Sequence, residues 1–268
     1  MNVINFEFKK YVGSLWFWII SLWSILVMFM AMYPVLARDA ALVDLVLQHY
    51  PEELLRAFGM SGGLSLATVA GFFAFVFAFV QLCLAIQSAY YGFQFLSVEE
   101  RELTADFLYS KPVSRSRLLL YKYVAAMAAL LITNIGLIMG TFLSIEWFRG
   151  SMVYDVGVVI SLLLSVPLFQ LFFFSAGFLA TALSKKITSV IGPAVGLAFV
   201  LYAISALQRI VGGALLALVS PYNHFDPNYI LQRGDWNMPL VTLSLVFIVA
   251  ANVVAYFMFM RRDLHAAV

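Results

Sequence analysis

The residues whose types and spacing could do chemistry are concentrated in one interior segment, FLSVEERELTADFLYSKPVSRSRLLLYK, residues 95–122. This segment holds nine of the thirty charged side chains and lies between two long apolar runs. Glu99, Glu102 and Asp106 recur at positions i, i+3 and i+7, next to an apolar stripe that includes Phe107. This spacing is typical of an amphipathic helix. Mixed acidic and basic side chains on such a helix suit a specific, salt-sensitive contact with another protein.

The same segment predicts a surface helix, a turn and the start of a second helix. We expect the surface helix over residues 97–110, with Ser97 as its N-cap and Glu100 three residues later in the spacing of a capping box. Pro112 ends this helix, because the residue before a proline is disfavoured in the α conformation. Ser114 can cap the next helix. The alternative is a solvated loop whose basic residues set only the membrane topology.

Catalytic, metal-binding and nucleotide-binding chemistry is not indicated elsewhere in the chain. The three histidines are isolated, no HExxH motif occurs, and Cys83 is the single cysteine, so we predict no catalytic residue and no metal site. No GxxxxGK[ST] phosphate loop occurs either, so any ATP and Mg²⁺ must be bound by another chain and we predict no cofactor here. His224 lies two residues before Asp226, and we interpret this pair as part of an outer turn.

The elements that must position the charged segment have the composition of a membrane protein. Of 268 residues, 63% are hydrophobic and 11% are charged, whereas roughly 25% are charged in soluble domains. Because about 20 apolar residues cross the hydrocarbon core, we predict an all-α integral membrane protein with six transmembrane helices in a single domain over residues 1–268. The predicted spans are about 15–36, 64–91, 123–145, 156–183, 187–207 and 238–260.

Two shorter elements are predicted beside the charged helix. Residues 1–14 carry aromatic and basic side chains, which is typical of an N-terminal interfacial helix. The apolar stretch 210–220 is too short to cross the membrane, and it predicts a short re-entrant or interfacial helix before the sixth span. Close helix approach is predicted at two small-residue pairs in the third and fifth spans: Gly136 with Gly140, and Gly192 with Gly196.

The basic residues indicate the orientation. Six spans place both termini on one side of the membrane, and assigning that side to the cytoplasm leaves eleven of the sixteen Lys and Arg residues inside and five outside. The positive-inside rule favours this assignment. We therefore predict a multi-pass plasma-membrane protein with both termini and the charged helix in the cytoplasm.

The predicted spans contain no ionisable side chain, which disfavours a proton-coupled or metal-ion pathway. Their neutral polar residues are either part of a translocation path or, as is more common, partners in interhelical hydrogen bonds. The candidates are Gln81, Gln87, Asn134 and Gln170. A path lined in this way suits an amphipathic or lipophilic cargo such as a drug, a peptide or a lipid.

At this point the chain resembles the permease subunits of type-2 ABC transporters, which are mostly exporters, and we expect it to be a bacterial protein. The family pattern after the second span is matched by Glu99-Glu100, Thr104, Asp106, Leu108, Ser110, Pro112-Val113-Ser114-Arg115 and Lys122. Leu103 and Ala105 stand where the family has glycine and leucine. The resemblance also covers the layout of six spans and the ending Arg261-Arg262-Asp263-Leu264.

The resemblance implies that the charged segment is a coupling helix that docks on a cytoplasmic ATPase subunit, which would bind ATP and Mg²⁺. Its interface residues would be Glu99, Glu100, Glu102, Thr104, Asp106, Phe107, Pro112, Ser114, Arg115 and Arg117. Lys185 and Lys186, in the other internal cytoplasmic loop, are a second candidate contact. The resemblance further implies pairing with a second permease, as a homodimer or a heterodimer.

Two other classes of function compete with transport. A membrane-embedded enzyme would need catalytic groups at one membrane depth, and the spans supply only amides and hydroxyls. A receptor or immunity protein could instead bind a peptide or lipid through the outer loops without transporting it. Neither alternative involves nucleic acid.

Overall fold

The computed structural model describes residues 3–39, 45–47, 49–57, 65–101, 114–184 and 189–261, apart from the side chains at positions 3, 4, 98–101 and 115. Regular structure in this part of the chain is entirely helical. The helices are α1 (Val3–Met30), α2 (Tyr33–Arg38), α3 (Glu52–Ala57), α4 (Val69–Arg101), α5 (Arg115–Phe148), α6 (Val156–Leu183), α7 (Ile191–Val211), α8 (Ala214–Val219), α9 (Pro221–His224), α10 (Pro227–Arg233) and α11 (Met238–Arg261).

The six predicted spans are confirmed as helices long and apolar enough to cross a membrane: α1 with α2, α4, α5, α6, α7 and α11. We call the side where α1 begins and α11 ends the terminal side, and the other the opposite side. Residues 3–14 do not form a separate interfacial helix, because no proline interrupts this stretch and Tyr11 and Leu15 are buried against α4. They are the first turns of α1.

Helices α4 and α6 form the centre of the bundle. Glycines on both helices let their backbones approach closely. A Cβ atom at Gly92 would clash with the carbonyl of Phe174, and one at Gly177 would lie 2.8 Å from the carbonyl oxygen of Ala89. Only glycine fits two backbones at this separation. The close contact fixes the rotation of both helices and therefore decides which side chains face each other.

The outer spans pack around this pair. Helix α1 lies along α5, where Gly136 and Gly140 face Ile19 and Trp23, and the Trp23 indole Nε1 donates to the Gly136 carbonyl oxygen at 2.8 Å. This confirms the close approach predicted for the third span. At Gly192 and Gly196 an added Cβ would meet no atom of the described structure within 4 Å, so these glycines make no such contact with the described residues.

Side chains also join the ends of α5 and α6 on the opposite side. Glu146 accepts hydrogen bonds from Arg149 Nε and the Tyr154 hydroxyl, each at 2.8 Å. Partial burial, together with the bond to Glu146 and its negative charge, raises the pKa of Tyr154 to about 12. The hydroxyl therefore keeps its proton at physiological pH and remains a donor to Glu146.

The segment between α7 and α11 enters the bundle from the opposite side. The Tyr222 ring lies 5.2 Å from the ring of Phe169, which is about halfway along α6 and roughly 20 Å from its first residue. Tyr222 and Phe225 are fully buried. The predicted re-entrant structure is thus present. Helix α9 is the part that reaches inward, whereas α8, which holds most of the apolar stretch 210–220, is largely exposed.

Where the short helices of this segment end, side chains form hydrogen bonds with its backbone carbonyl oxygens. Gln81 Nε2 donates to the Phe225 carbonyl oxygen at 2.7 Å. His224 Nε2 lies 3.1 Å from the Ala217 carbonyl oxygen and 3.2 Å from that of Leu218. Non-helical backbone is tolerated at membrane depth only where protein groups supply such partners.

The sequence placed His224 in an outer turn. This prediction is wrong, because the residue is only 2% exposed. A carbonyl oxygen only accepts, so Nε2 carries the ring proton, and Nδ1 accepts from the Ser244 hydroxyl at 2.6 Å. The imidazole thus joins the end of α8 to α11.

Candidate functional site

The charged segment begins as a direct continuation of the second span. The sequence placed a helix start at Ser97, and this N-cap prediction is wrong, because α4 continues through Ser97 to Arg101. The Ser97 hydroxyl donates to the Phe93 carbonyl oxygen at 2.7 Å, as a serine inside a helix does, and the side chain is buried. Glu99 and Glu100 therefore belong to the last turns of a helix that is unbroken from Val69.

The other end of the segment leads directly into the third span. Ser114 occupies the N-cap position of α5 with an extended backbone, although its side chain makes no capping hydrogen bond. Arg115 is the first residue of α5, and Arg117, two residues later, is exposed. The remaining predicted interface residues lie outside the described residues: Glu102, Thr104, Asp106, Phe107 and Pro112.

A buried lysine ties these two ends together. Lys122 Nζ donates to the Phe95 carbonyl oxygen at 2.9 Å, and the residue is 5% exposed. The Phe95 ring makes edge contacts with Tyr123, Phe174 and Phe178, at centroid distances of 6.1, 5.4 and 4.9 Å. The ends of α4, α5 and α6 on the terminal side are thus joined around Phe95.

The fourth span contributes a further bond on the terminal side. The Thr181 hydroxyl lies within hydrogen-bond distance of two carbonyl oxygens, Phe93 at 3.2 Å and Gly177 at 2.8 Å. This contact lies about one turn closer to the terminal side than the glycine contact of α4 with α6. Lys185 and Lys186, the second predicted contact, lie outside the described residues.

Helix α1 adds ionisable groups that the predicted span boundaries left out. Glu7 is 2% exposed and pairs with Lys10, whose Nζ lies 3.2 Å from the carboxylate. One turn further, the Tyr11 ring makes an edge contact with Tyr91 at 4.9 Å. The ionisable side chains of the observed spans lie towards helix ends, and the middle of the bundle is uncharged among the described residues.

The bundle holds a polar cluster, which we define as the buried Gln87, Gln170, Thr133 and Tyr91 with the partly buried Ser14. Gln87 Nε2 donates to the Thr133 hydroxyl at 2.9 Å and to the Tyr91 hydroxyl at 3.4 Å, and Gln87 Oε1 accepts from Gln170 Nε2 at 3.4 Å. The Ser14 hydroxyl completes the chain of contacts at 3.4 Å from that of Tyr91. Four spans are thereby joined.

The structure thus separates the four polar residues that the sequence singled out. Gln87 and Gln170 meet in the polar cluster, whereas Gln81 bonds to the re-entrant segment. Asn134 is 6% exposed, and its Oδ1 has no hydrogen-bond partner among the described residues. Thr133 and Ser14 could not be recognised as partners from the sequence, although Tyr91 follows Gln87 at helical spacing.

No group of three or more His, Cys, Asp and Glu side chains placed to hold a metal ion occurs in the described ranges.

A comparison with protein families matches residues 1–264 to a family described as ABC-2 family transporter protein. The match covers the charged segment, all six spans and the re-entrant segment. A comparison with curated proteins gives no match.

Proposed function

Because this chain belongs to the ABC-2 family of transporter proteins and is a membrane permease of an ABC transporter, we propose that it exports an amphipathic or lipophilic cargo. ATP would be hydrolysed on a separate ATPase subunit that docks on the charged segment, acting as a coupling helix. The proposed interface includes Glu102, Asp106 and Arg115, together with the other residues that the sequence singled out in this segment.

The unbroken helix α4 carries this proposal. It extends from the opposite side through the bundle centre to Arg101, at the start of the charged segment. The bond between Lys122 and the Phe95 carbonyl ties α5 to the same place. Force applied to residues 102–113 therefore has two rigid helices to act on, and the glycine contact of α4 with α6 carries it to a third. Lys185 and Lys186 would give the ATPase a second, smaller contact.

Co-purification with the ATPase subunit tests the docking role. We expect the triple variant Glu102→Ala, Asp106→Ala and Arg115→Ala to lose the ATPase subunit, because mixed charges at an interface set specificity and association. The wild-type complex should also weaken as salt is raised.

The matched control removes two acids and one arginine from α3 on the opposite side, in the variant Glu52→Ala, Glu53→Ala and Arg56→Ala. This variant breaks an exposed ion pair between Arg56 and Glu52 and should retain the ATPase subunit. If the first triple variant kept a full complement of ATPase, the docking role would be refuted.

We propose that the cargo does not pass between the helices of one chain. Gln81, Gln87 and Gln170 are all buried and bonded within the chain, which supports a role in joining helices. The cargo would instead move along a surface facing a second permease, either a copy or a related chain. Helices α1 and α7 expose large apolar side chains, including Trp16 and Val200, that could form this surface.

ATPase assays on the reconstituted complex test the cargo class. Amphipathic peptides and lipids should raise the ATP hydrolysis rate more than small hydrophilic solutes of equal concentration. Stimulation by hydrophilic solutes alone would overturn the proposed class of cargo.

A further inference from the structure

His224 is a buried titratable side chain at the point where the re-entrant segment meets two other helices. It lies between the fifth and sixth spans. Its Nε2 contacts the Ala217 and Leu218 carbonyl oxygens of α8, and its Nδ1 contacts the Ser244 hydroxyl of α11. All three partners are uncharged. The ring therefore holds α9 to α8 and α11 as a neutral imidazole.

These contacts fit only one protonation state of the ring. In the neutral state, Nε2 donates to the carbonyl oxygens and Nδ1 accepts the proton of the Ser244 hydroxyl at 2.6 Å. A second proton would occupy Nδ1, so the Ser244 hydroxyl would have to turn round and become the acceptor. Protonation thus reverses the bond to α11 and adds a positive charge at a buried position.

The helices packed against α9 carry no negative charge that could compensate. They include α6, α7, α8 and α11. Helices α6 and α8 contain no charged residue, α7 contains Arg209, and α11 contains Arg261 at its last position. Asp226, the next carboxylate along the chain, accepts from Arg209 Nη2 at 3.2 Å and from the Asn228 backbone N–H at 2.8 Å. No carboxylate among the described residues bonds to the His224 ring.

An imidazolium at this position would therefore be poorly stabilised. The Phe172 ring on α6 lies 6.4 Å away in edge geometry, whereas an aromatic ring stabilises a cation from within about 6 Å of its centroid. Burial lowers the pKa of His224, and the two carbonyl contacts offset only part of this effect. The ring binds a proton more readily once it is exposed to water, so acid favours a state in which α9 has left its buried position.

We propose that His224 makes the re-entrant segment a pH-sensitive switch. The segment stays in place while the ring is neutral, and proton uptake releases α9 from α8 and α11. The buried state is most stable above about pH 6.5, the ordinary pKa of a histidine, and loses stability as the pH falls below that value. The switch depends neither on the cargo nor on the ATPase subunit, so it can be tested on this chain alone.

Hydrogen–deuterium exchange of the purified full-length chain in lipid nanodiscs tests the switch without any variant. Peptides that cover residues 214–233 would be compared at about pH 7.5 and about pH 5.5, on either side of the ordinary histidine pKa. After correction for the pH dependence of the intrinsic exchange rate, we expect exchange to be several-fold faster at the lower pH. Linkage through one histidine limits the increase to about tenfold over this interval. Peptides around Gly92 and Gly177 should not change.

The variant His224→Gln removes the titrating ring and keeps an N–H donor for a carbonyl oxygen. Its corrected exchange rates over residues 214–233 should be equal at the two pH values, even if both are faster than in the wild type. The matched control is His49→Gln, the same substitution at an exposed histidine whose Nδ1 lies 2.7 Å from the Leu45 carbonyl oxygen. This control should keep the full response to acid.

Three outcomes would overturn the proposal. Equal corrected rates at the two pH values in the wild type would show that the His224 ring does not control the segment. A response to acid that persists in His224→Gln would belong to another group, such as the Asp226 carboxylate. Equal acceleration in all six spans would show a general loss of stability in acid.

Discussion

At the residue scale, Lys122 shows how one buried cation can hold two spans in place. Its Nζ reaches the Phe95 carbonyl, so its charge is neither exposed to lipid nor left without an acceptor. Charged hydrogen bonds of this kind contribute about 1.5–3 kcal/mol. The residue stands where the family pattern has its lysine, and the structure adds the acceptor that the pattern alone does not name.

The variant Lys122→Met keeps most of the aliphatic side chain and removes the donor. We expect the free energy of unfolding to fall by about 2 kcal/mol, measured by denaturant unfolding of the purified protein in one detergent. The control Arg117→Met removes an exposed cation from the same end of α5 and should change the free energy of unfolding by less than about 0.5 kcal/mol. Equal stability of Lys122→Met and wild type would contradict this role.

Sequence reasoning found the polar residues of the spans but could not pair them. Gln87, Gln170 and Asn134 were recognisable as amides in apolar runs. Which of them meet depends on the rotation of α4 against α6, and backbone contact at Gly92 and Gly177 sets that rotation. Neither glycine has a second glycine four residues away in its own helix, which is the spacing that marks a close helix contact. The sequence therefore did not reveal which side chains meet.

At the element scale, the packing of α4 on α6 should be the most sensitive contact to an added methyl group. We expect Gly92→Ala to lower the free energy of unfolding by about 2–3 kcal/mol, because its Cβ would meet the Phe174 carbonyl and neither backbone can move freely. The measurement is denaturant unfolding in detergent.

The control for this prediction is Gly192→Ala, since an added Cβ there meets no described atom within 4 Å. Replacing glycine inside a helix should leave stability unchanged or raise it by up to about 1 kcal/mol. A Gly92→Ala protein that behaved like the control would show that the two backbones are not in close contact.

The re-entrant segment depends on the hydrogen bonds of His224. We expect His224→Leu to destabilise the protein by about 2 kcal/mol, because it leaves the Ala217 and Leu218 carbonyls without their side-chain partner. Limited proteolysis between α7 and α11 should also accelerate. The exposed His49 provides the control, and His49→Leu should be neutral. An unchanged cleavage rate in His224→Leu would argue against this role of His224.

Element boundaries were predicted closely for some spans and not for others. The fourth predicted span, 156–183, coincides with α6, because Asp155 caps its start and the basic pair Lys185-Lys186 follows its end. The second span was expected to end at residue 91 but continues to Arg101, since a helix can carry polar residues beyond the hydrocarbon core. The fifth was predicted as 187–207 and runs from Ile191 to Val211, because hydropathy alone does not locate a helix start.

At the scale of the whole molecule, the number of spans and the family followed from composition and the charged segment, whereas the neighbours of each span did not. Hydropathy gives all six spans nearly the same signal, although α4 and α6 are central and α7 is largely exposed. Burial within the bundle depends on small residues and on bonds between helices far apart in sequence, such as Trp23 with Gly136.

The orientation of the molecule is a further prediction at this scale. In a Cys83→Ser background, a cysteine at Ser189, which is exposed on the terminal side, should be protected from a membrane-impermeant maleimide in whole cells. A cysteine at Met152, exposed on the opposite side, should react. The reverse pattern would place the charged segment outside the cell and remove the basis for ATPase docking.

The re-entrant segment has a consequence for the order in which the chain is synthesised. His224 needs the hydroxyl of Ser244 in α11, which the ribosome makes later, and Phe225 needs Gln81 in α4, which has already been inserted. A nascent chain that ends before the sixth span cannot seat this segment, so it should present unpaired backbone to quality-control proteases. Completion of α11 would therefore act as the last checkpoint of biogenesis.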